Sequence, residues 1–258
     1  MLLKHHLFLS ILSLLFIMLT SCKNTEDTPQ PATQTQNLSL KMSTVIGNKP
    51  IDFTSVFTTE AGARYTLSSF RYYVSNIRLV KQDGSEYPIT GKYLLVNPAT
   101  EDYDLGQVPV GDYKGLKFAV GIDSVTNHAD PTVYPTNNPL AIQSPGMHWS
   151  WSSGYIFLMM EGSCDTTNTN TDVQTFGQFS HPLFYHIGMD MLYREVNLDN
   201  VSFAVNANDK KTLHVQTYLN NFFTGIDIKT ENASHTMGSV PLATKLANNI
   251  QTMFSVIQ

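Results

Sequence analysis

The chain from residue 37 onward carries short runs in which apolar and polar side chains alternate. Such alternation predicts β-strands, because successive side chains of a strand point to opposite faces. It is clearest at residues 38–43, 70–74 and 77–79. Further runs of strand length, rich in β-branched or aromatic residues, occupy residues 116–122, 155–160, 201–205 and 213–218. Asp83 and Gly84 predict a hairpin turn. We therefore expect an all-β domain, an antiparallel β-sandwich with long loops.

A helical period replaces the strand pattern near the C-terminus. Ser239 stands at the expected N-cap and Pro241 near the first helical position. The apolar residues that then share one helical face are Leu242, Leu246, Ile250, Met253 and Phe254. We expect this single α-helix to pack on the sandwich, and an amphipathic helix that binds a partner is the alternative.

Two long segments lack a strand pattern. Residues 123–145 contain four prolines, which do not fit a regular strand. Residues 164–175 are polar and of low complexity. Because long loops in a compact domain are usually functional or disordered, we expect the first to be functional and the second disordered.

The N-terminus has the regions of a bacterial lipoprotein signal peptide. Lys4 supplies the positive charge, residues 7–19 are apolar, and Leu19-Thr20-Ser21-Cys22 resembles a lipobox. The apolar run is shorter than the roughly 20 residues that a membrane-spanning helix needs. We interpret residues 1–21 as a signal peptide and Cys22 as the lipidated N-terminus of the mature protein.

Residues 22–36 are rich in Thr, Gln and Pro and contain no large apolar side chain. Such a composition predicts a flexible tether. Residues 37–258 are then a single domain, held on a membrane by the acyl groups of Cys22. The expected location is the cell envelope, at the outer membrane, with the domain facing the periplasm or the cell surface.

Charge and cysteine content narrow the function. The net charge is −5, from 16 basic and 21 acidic residues, and no basic stripe is interleaved with aromatic residues. Nucleic acid is therefore not an expected partner. Lipidation of Cys22 leaves Cys164 as the one free thiol of the two cysteines, which excludes a disulfide within the chain. Cys164 is then buried and inert, paired between molecules, or bound to a soft metal.

Common catalytic motifs are missing from the sequence, which contains no HExxH, GxSxG, P-loop, GxGxxG or CxxC. We therefore do not expect an enzyme. Residues 146–155 are the most unusual stretch and hold both tryptophans, Trp149 and Trp151. His148 and Met147 beside them are suitable copper ligands, the thioether for Cu(I). A buried aromatic strand is the alternative interpretation.

Several stretches together resemble the MbnP-like copper-binding family, whose relatives include the MopE and CorA proteins of methane oxidisers. The resemblance covers nearly the whole mature domain. The stretches that carry it are residues 69–79, 115–124, 146–158, 184–188 and 253–256.

The resemblance implies a β-rich copper protein of the envelope. In characterised relatives, histidines and a kynurenine made by oxidising tryptophan hold Cu(I), and a dihaem partner of the MbnH type performs the oxidation in one branch. Carried onto this chain, Trp149 and Trp151 become candidates for oxidation, and His186 and His235 join His148 as candidate ligands. Asp123 or Asp190 is expected to orient the imidazole rings.

The sequence departs from the MopE branch in one respect. There the modified tryptophan lies two residues before a ligand histidine, whereas here His148 precedes Trp149 and no Trp-x-His occurs. A function without metal is the alternative: a surface module that binds glycan or protein on an aromatic shelf formed by Trp149, Trp151 and Tyr155.

Overall fold

The computed structural model describes residues 33–150, 153–167 and 179–257. The predicted signal peptide, the lipidation site at Cys22, residues 22–32 of the predicted tether and Trp151 lie outside the described residues. So do residues 168–175 of the second long loop, predicted to be disordered.

The described part of the chain consists mainly of strands, because alternating and apolar runs dominate its sequence. The strands in chain order are β1 Thr35–Ile46, β2 Lys49–Pro50, β3 Phe57–Thr58, β4 Arg64–Lys81, β5 Glu86–Ile89, β6 Leu94–Val96, β7 Asp102–Pro109, β8 Gly111–Val120, β9 His148–Ser150, β10 Gly154–Cys164, β11 His181–Gly188, β12 Arg194–Val205, β13 Lys211–Tyr218, β14 Ala233–Ser234 and β15 Phe254–Ile257. The α-helices are α1 Ser124–Asn127 and α2 Val240–Ile250. Single-turn 3₁₀ helices occupy Pro131–Val133, Asp190–Leu192 and Leu219–Phe223.

The strands form two sheets. The smaller has the order β15-β13-β1-β2, with β7 also beside β1, and the larger runs β12-β8-β4-β10-β11-β14, with β3, β5, β6 and β9 paired at its sides. Most neighbours are antiparallel, as predicted. The pairs β1–β13 and β11–β14 are parallel, which is possible because long stretches of chain separate the members of each pair.

Alternate side chains of the two sheets meet in the main core. The Tyr72 hydroxyl of β4 hydrogen-bonds the Thr217 hydroxyl of β13 at 2.8 Å across it. The Phe254 ring of β15 lies 5.7 Å from the Tyr72 ring and 5.1 Å from that of Phe118. Full burial of a ring such as Phe254 contributes about 1.5–3 kcal/mol to folding. The all-β sandwich prediction is therefore confirmed.

A second apolar cluster lies on the opposite face of the larger sheet. Tyr73 on β4 and Phe157 and Met159 on β10 point away from the main core, because their neighbours Tyr72, Leu158 and Met160 point into it. The loop of residues 123–145 covers this face with Leu140, and Met147, two residues beyond the loop, packs there as well. The candidate site lies at the margin of this cluster.

The C-terminal helix is confirmed but is shorter than predicted. It ends at Ile250, with Leu242, Leu246 and Ile250 buried. Met253 and Phe254, assigned to its apolar face from the sequence, lie beyond it, and Phe254 begins β15. The cause is tertiary: the Met253 carbonyl accepts a hydrogen bond from the Tyr218 amide at 2.7 Å, which starts the pairing of β15 with β13.

Two strand boundaries also differ from the sequence pattern. Residues 70–74 and 77–79 belong to one strand, β4, and Asn76 between them adopts a φ of 49° where the pairing with β8 shifts register. β1 begins at Thr35, inside the predicted tether, because Thr35 and Gln36 pair with the end of β7. Among the described residues, no helix is long and apolar enough to cross a membrane.

Candidate metal centre

One side of the candidate site is the outer face of the β10–β11 ladder. His186 on β11 lies directly opposite Met159 on β10, and Phe184 lies opposite Glu161. Directly opposed residues of an antiparallel pair have Cβ atoms about 4.5–5.5 Å apart on the same face. Glu161 Oε1 lies 2.8 Å from His186 Nε2. The ladder therefore sets an imidazole, a thioether and a carboxylate side by side.

A buried threonine brings His235 to this face. The Thr236 hydroxyl donates to the His186 carbonyl at 2.7 Å and accepts from the Gly188 amide at 3.1 Å. Thr236 is fully buried and has a φ of 58°, a conformation uncommon for a β-branched residue. With the loop held in this way, the His235 ring centroid lies 4.7 Å from that of His186.

His148 comes from the short strand β9, on the other side of the site. The Ile156 amide donates to the Met147 carbonyl at 2.9 Å, and His148 is paired with Tyr155 of β10. The His148 ring stands edge-on against the Tyr155 ring at 4.7 Å. Its Nε2 atom is buried and has no hydrogen-bond partner among the described residues. Because buried polar atoms are normally hydrogen-bonded, this nitrogen is unusual and is a candidate for binding a ligand.

Trp149 reaches the same site because Gly188 leaves room for it. A Cβ atom at Gly188 would lie 2.7 Å from Cζ3 of the Trp149 indole, closer than side chains tolerate. Gly188 follows His186 by two residues on the same face of β11. The half-buried Trp149 therefore packs against the strand that carries His186.

These segments line an open cavity of about 560 Å³. His148, His186 and His235 all line it, so the structure brings the three predicted metal-binding histidines to one place. Trp149 lines it too, whereas Trp151 lies outside the described residues. The cavity is also lined by Glu161, Met159, Met189 and Met237.

A second cavity, also of about 560 Å³, adjoins the first. His128, Asp130 and Ile142 of the long loop line it, together with His148 and Trp149. Residues 123–145, the loop predicted to be functional, thus line the second cavity, which shares His148 and Trp149 with the first.

The environment favours neutral imidazoles. Burial lowers the pKa of His186 and outweighs the opposite effect of the Glu161 carboxylate. Burial likewise lowers the pKa of His148, against the attraction of Asp130. A neutral imidazole has a free lone pair, which a metal ligand needs.

Acidic side chains around the histidines differ from the expected ones. Asp123 accepts hydrogen bonds from Tyr93 and Thr126, and it contacts none of the three candidate histidines. Asp190 also contacts the loop of residues 123–145, because its carboxylate accepts a hydrogen bond from the Asn127 side-chain amide at 2.7 Å. No hydrogen bond joins either carboxylate to His148, His186 or His235 among the described residues, and Asp190 Oδ2 instead lies 3.2 Å from Nε2 of His128.

Glu161 is the carboxylate that contacts a site histidine. No motif marks it in the sequence, since strand pairing places it beside His186. Met159 and Thr236 were missed for the same reason. The one local signal was the position of Thr236 directly after His235.

The aromatic shelf also needs correction. Tyr155 is fully buried and donates a hydrogen bond to the Leu140 carbonyl at 2.6 Å. It therefore offers no surface to a glycan or protein, because the loop covers it. Of the two predicted shelf residues that the structure describes, Trp149 and Tyr155, only Trp149 lines a cavity.

Within the described ranges, no three His, Cys, Asp or Glu side chains are arranged as a group that could hold a metal ion. The geometry is instead a close pair of imidazoles, His186 and His235, with a third imidazole and three thioethers around the same cavity. Imidazole and thioether are ligands that suit copper, and thioether favours Cu(I).

The fold and site define a β-sandwich protein with a cavity lined by histidine and methionine on the outer face of one sheet. A sequence profile of the MbnP family matches residues 35–238, so the chain belongs to the MbnP family. Among solved structures it is similar to "MbnP from Methylosinus trichosporium", with 18% sequence identity, a TM-score of 0.52, and coverage of 74% of this chain and 78% of that one. At this identity the likeness concerns the fold. No curated protein matches the chain.

Proposed function

We propose that this protein is a non-catalytic envelope lipoprotein that binds copper as Cu(I). One observation carries the proposal: His148, His186 and His235, which lie far apart in the sequence, line the same cavity. Membership of the MbnP family supports it, because the sequence resemblance associates that family with copper.

The residues present fit a copper ion. His148 Nε2 is buried without a hydrogen-bond partner among the described residues, and His186 and His235 lie within ring contact of each other. These imidazoles would hold the ion, and Glu161 would orient the His186 ring through its hydrogen bond. A bound copper ion would supply a soft, redox-active centre.

Trp149 is the tryptophan that we propose for oxidation to kynurenine, an aryl amine that adds a nitrogen donor. Its side chain lines the cavity beside the histidines. Trp151 stays a second candidate. A dihaem protein of the MbnH type would pass four electrons from the indole to peroxide, while two oxygen atoms from water add across the C2–C3 bond as it breaks, and hydrolysis of the resulting formamide would release formate. Lipidation at Cys22 would keep the protein in the envelope, where such a partner occurs.

Anaerobic titration with Cu(I) against a competing chelator tests copper binding. Wild-type protein from the native host should bind one Cu(I) with a dissociation constant below about 1 μM. His186→Ala and His235→Ala should each weaken binding by about 100-fold or more, since even groups that only orient a ligand are worth 10–100-fold.

His181→Ala is the matched control, because His181 lies on the same strand at its opposite end and is exposed. Its Cu(I) affinity should equal that of the wild type. Binding weaker than micromolar in the wild type, or equal losses in all three variants, would contradict the proposed function.

Intact-mass and peptide mass spectrometry of the native protein test the oxidation. The expected result is kynurenine at Trp149. Unmodified Trp149 and Trp151 would exclude the kynurenine while leaving histidine-based copper binding in place.

A further inference from the structure

Three methionines surround the histidine pair. Met159 lies in β10, Met189 directly follows β11, and Met237 follows His235 by two residues. Thioether sulfur is uncharged and polarizable, and it binds soft monovalent ions far better than hard divalent ones. The cavity therefore has a soft set of donors in addition to its imidazoles.

Met159 is the best placed of the three. It pairs directly with His186 across the β10–β11 ladder, so both side chains leave the same face of the sheet. Its two neighbours, Leu158 and Met160, point into the main core instead. Because both strands are internal to the larger sheet, the position of Met159 relative to His186 is fixed by backbone pairing.

The sulfur of Met159 has one hydrogen-bond donor, on the side of β10 opposite to β11 and His186. The Ser69 hydroxyl of β4 lies 3.9 Å from Met159 Sδ, as a donor to it. The side chain is almost fully buried, yet it forms part of the cavity wall. Leucine would fill a similar volume, so the sulfur atom is the chemical feature that methionine adds here.

We infer that Met159 is a thioether ligand that makes this site selective for Cu(I) and Ag(I) over divalent ions. The inference rests on the proposed function and deepens it. His186 and His235 supply the binding strength for several metals, and Met159 supplies the preference for soft monovalent ions.

The test combines affinity with spectroscopy on Met159→Leu. Ag(I) and Zn(II) are titrated separately, and X-ray absorption at the metal edge is recorded on the Cu(I)- and Ag(I)-loaded proteins. Wild type should show a metal–sulfur scattering path. The metal–sulfur scattering path should be absent from Met159→Leu. The Ag(I) affinity of this variant should be at least about tenfold weaker than that of the wild type, and its Zn(II) affinity should be unchanged.

Met160→Leu is the matched control, because Met160 is the next residue on the same strand and faces the core. It should keep the sulfur path and both affinities. A wild-type site that binds Cu(I) without metal–sulfur scattering would overturn the inference but leave the proposed function standing. A sulfur path that persists in Met159→Leu would move the role to Met189 or Met237 and also overturn it. Absence of Cu(I) binding in the wild type would overturn both.

Discussion

The C-terminal end of strand β10 and the middle of the strand hold sulfur in opposite environments. At the C-terminal end, Cys164 is fully buried, its sulfur 3.6 Å from the Ile228 carbonyl oxygen, and burial raises the pKa of its thiol to about 11. In the middle of the strand, Met159 forms part of a cavity wall beside His186. The thiol is therefore protonated and enclosed, whereas the thioether faces a space large enough for a ligand.

The closed end is also held by charge. Arg64 Nη2 lies 2.7 Å from the buried Asp165 carboxylate. Burial by itself would raise the pKa of Asp165, but hydrogen bonds from Thr167 and Arg64 outweigh it and lower the pKa to about 2. Where the strand lines the cavity, by contrast, His148 Nε2 has no hydrogen-bond partner among the described residues. The C-terminal end of the strand thus has a buried ion pair, whereas the part that lines the cavity lies beside a buried imidazole nitrogen without a partner among the described residues.

Arg64→Ala should produce the largest change and distinguish the C-terminal end of β10 from the part that lines the cavity. It leaves the Asp165 charge buried and unpaired, which costs about 3–5 kcal/mol in the free energy of unfolding. Urea denaturation measures this loss, and the Cu(I) affinity of the folded protein should not change. Lys245→Ala, which breaks the exposed pair with Glu231, is the control and should cost less than about 1 kcal/mol. Equal losses in both variants would contradict the distinction.

Gly188→Ala should disturb the wall of the cavity where Trp149 packs on β11. The new methyl group would lie 2.6 Å from the Tyr155 carbonyl and 2.7 Å from the Trp149 ring. We expect a loss of up to about 3 kcal/mol, a displaced indole seen by near-ultraviolet circular dichroism, and weaker Cu(I) binding. Gly238→Ala, where the methyl group would meet nothing within 4 Å, should leave the spectrum unchanged. An unchanged spectrum in Gly188→Ala would show that Trp149 does not pack on this strand.

Thr236→Val should loosen His235 from His186. Valine keeps the shape but removes the hydroxyl that binds the His186 carbonyl and the Gly188 amide. The expected cost is about 1–2 kcal/mol, with Cu(I) affinity reduced about tenfold. Thr236→Ser keeps the hydroxyl and should retain the affinity. If Thr236→Ser binds as weakly as Thr236→Val, the hydroxyl is not what positions His235.

Substitution of Cys164 should have the smallest effect on Cu(I) binding. In a Cys22→Ser background, where Cys164 is the one remaining cysteine, a thiol-reactive probe should label the native protein slowly and the urea-unfolded protein fast. Cys164→Ala should leave Cu(I) affinity unchanged. Rapid labelling of the native thiol, or loss of copper binding in Cys164→Ala, would remove the contrast between the two sulfur environments.

Local patterns predicted most of the fold. Alternation at residues 38–43 identified β1, the run of β-branched and aromatic residues at 213–218 identified β13, and the helical period identified α2. The pattern did not reveal that β1 and β13 run in parallel, because pairing direction depends on the path of the whole chain. It also placed Phe254 in the helix, since an apolar residue at helical spacing can equally begin a strand on a sheet edge.

The candidate site was predicted in part. His186 and His235 came from resemblance to a family, and His148 from its place beside Trp149. Glu161, Met159 and Thr236 could not be found in this way, because strand register and a buried hydroxyl bring them to the histidines. Register follows from pairing between distant segments, which a single sequence does not display.

Trp149 has one more consequence. Its ring, with that of His148, is a wall common to two voids of about 560 Å³ each. A smaller side chain at this position would enlarge both voids. Any chemical change in the indole ring would likewise alter the shape of both at once.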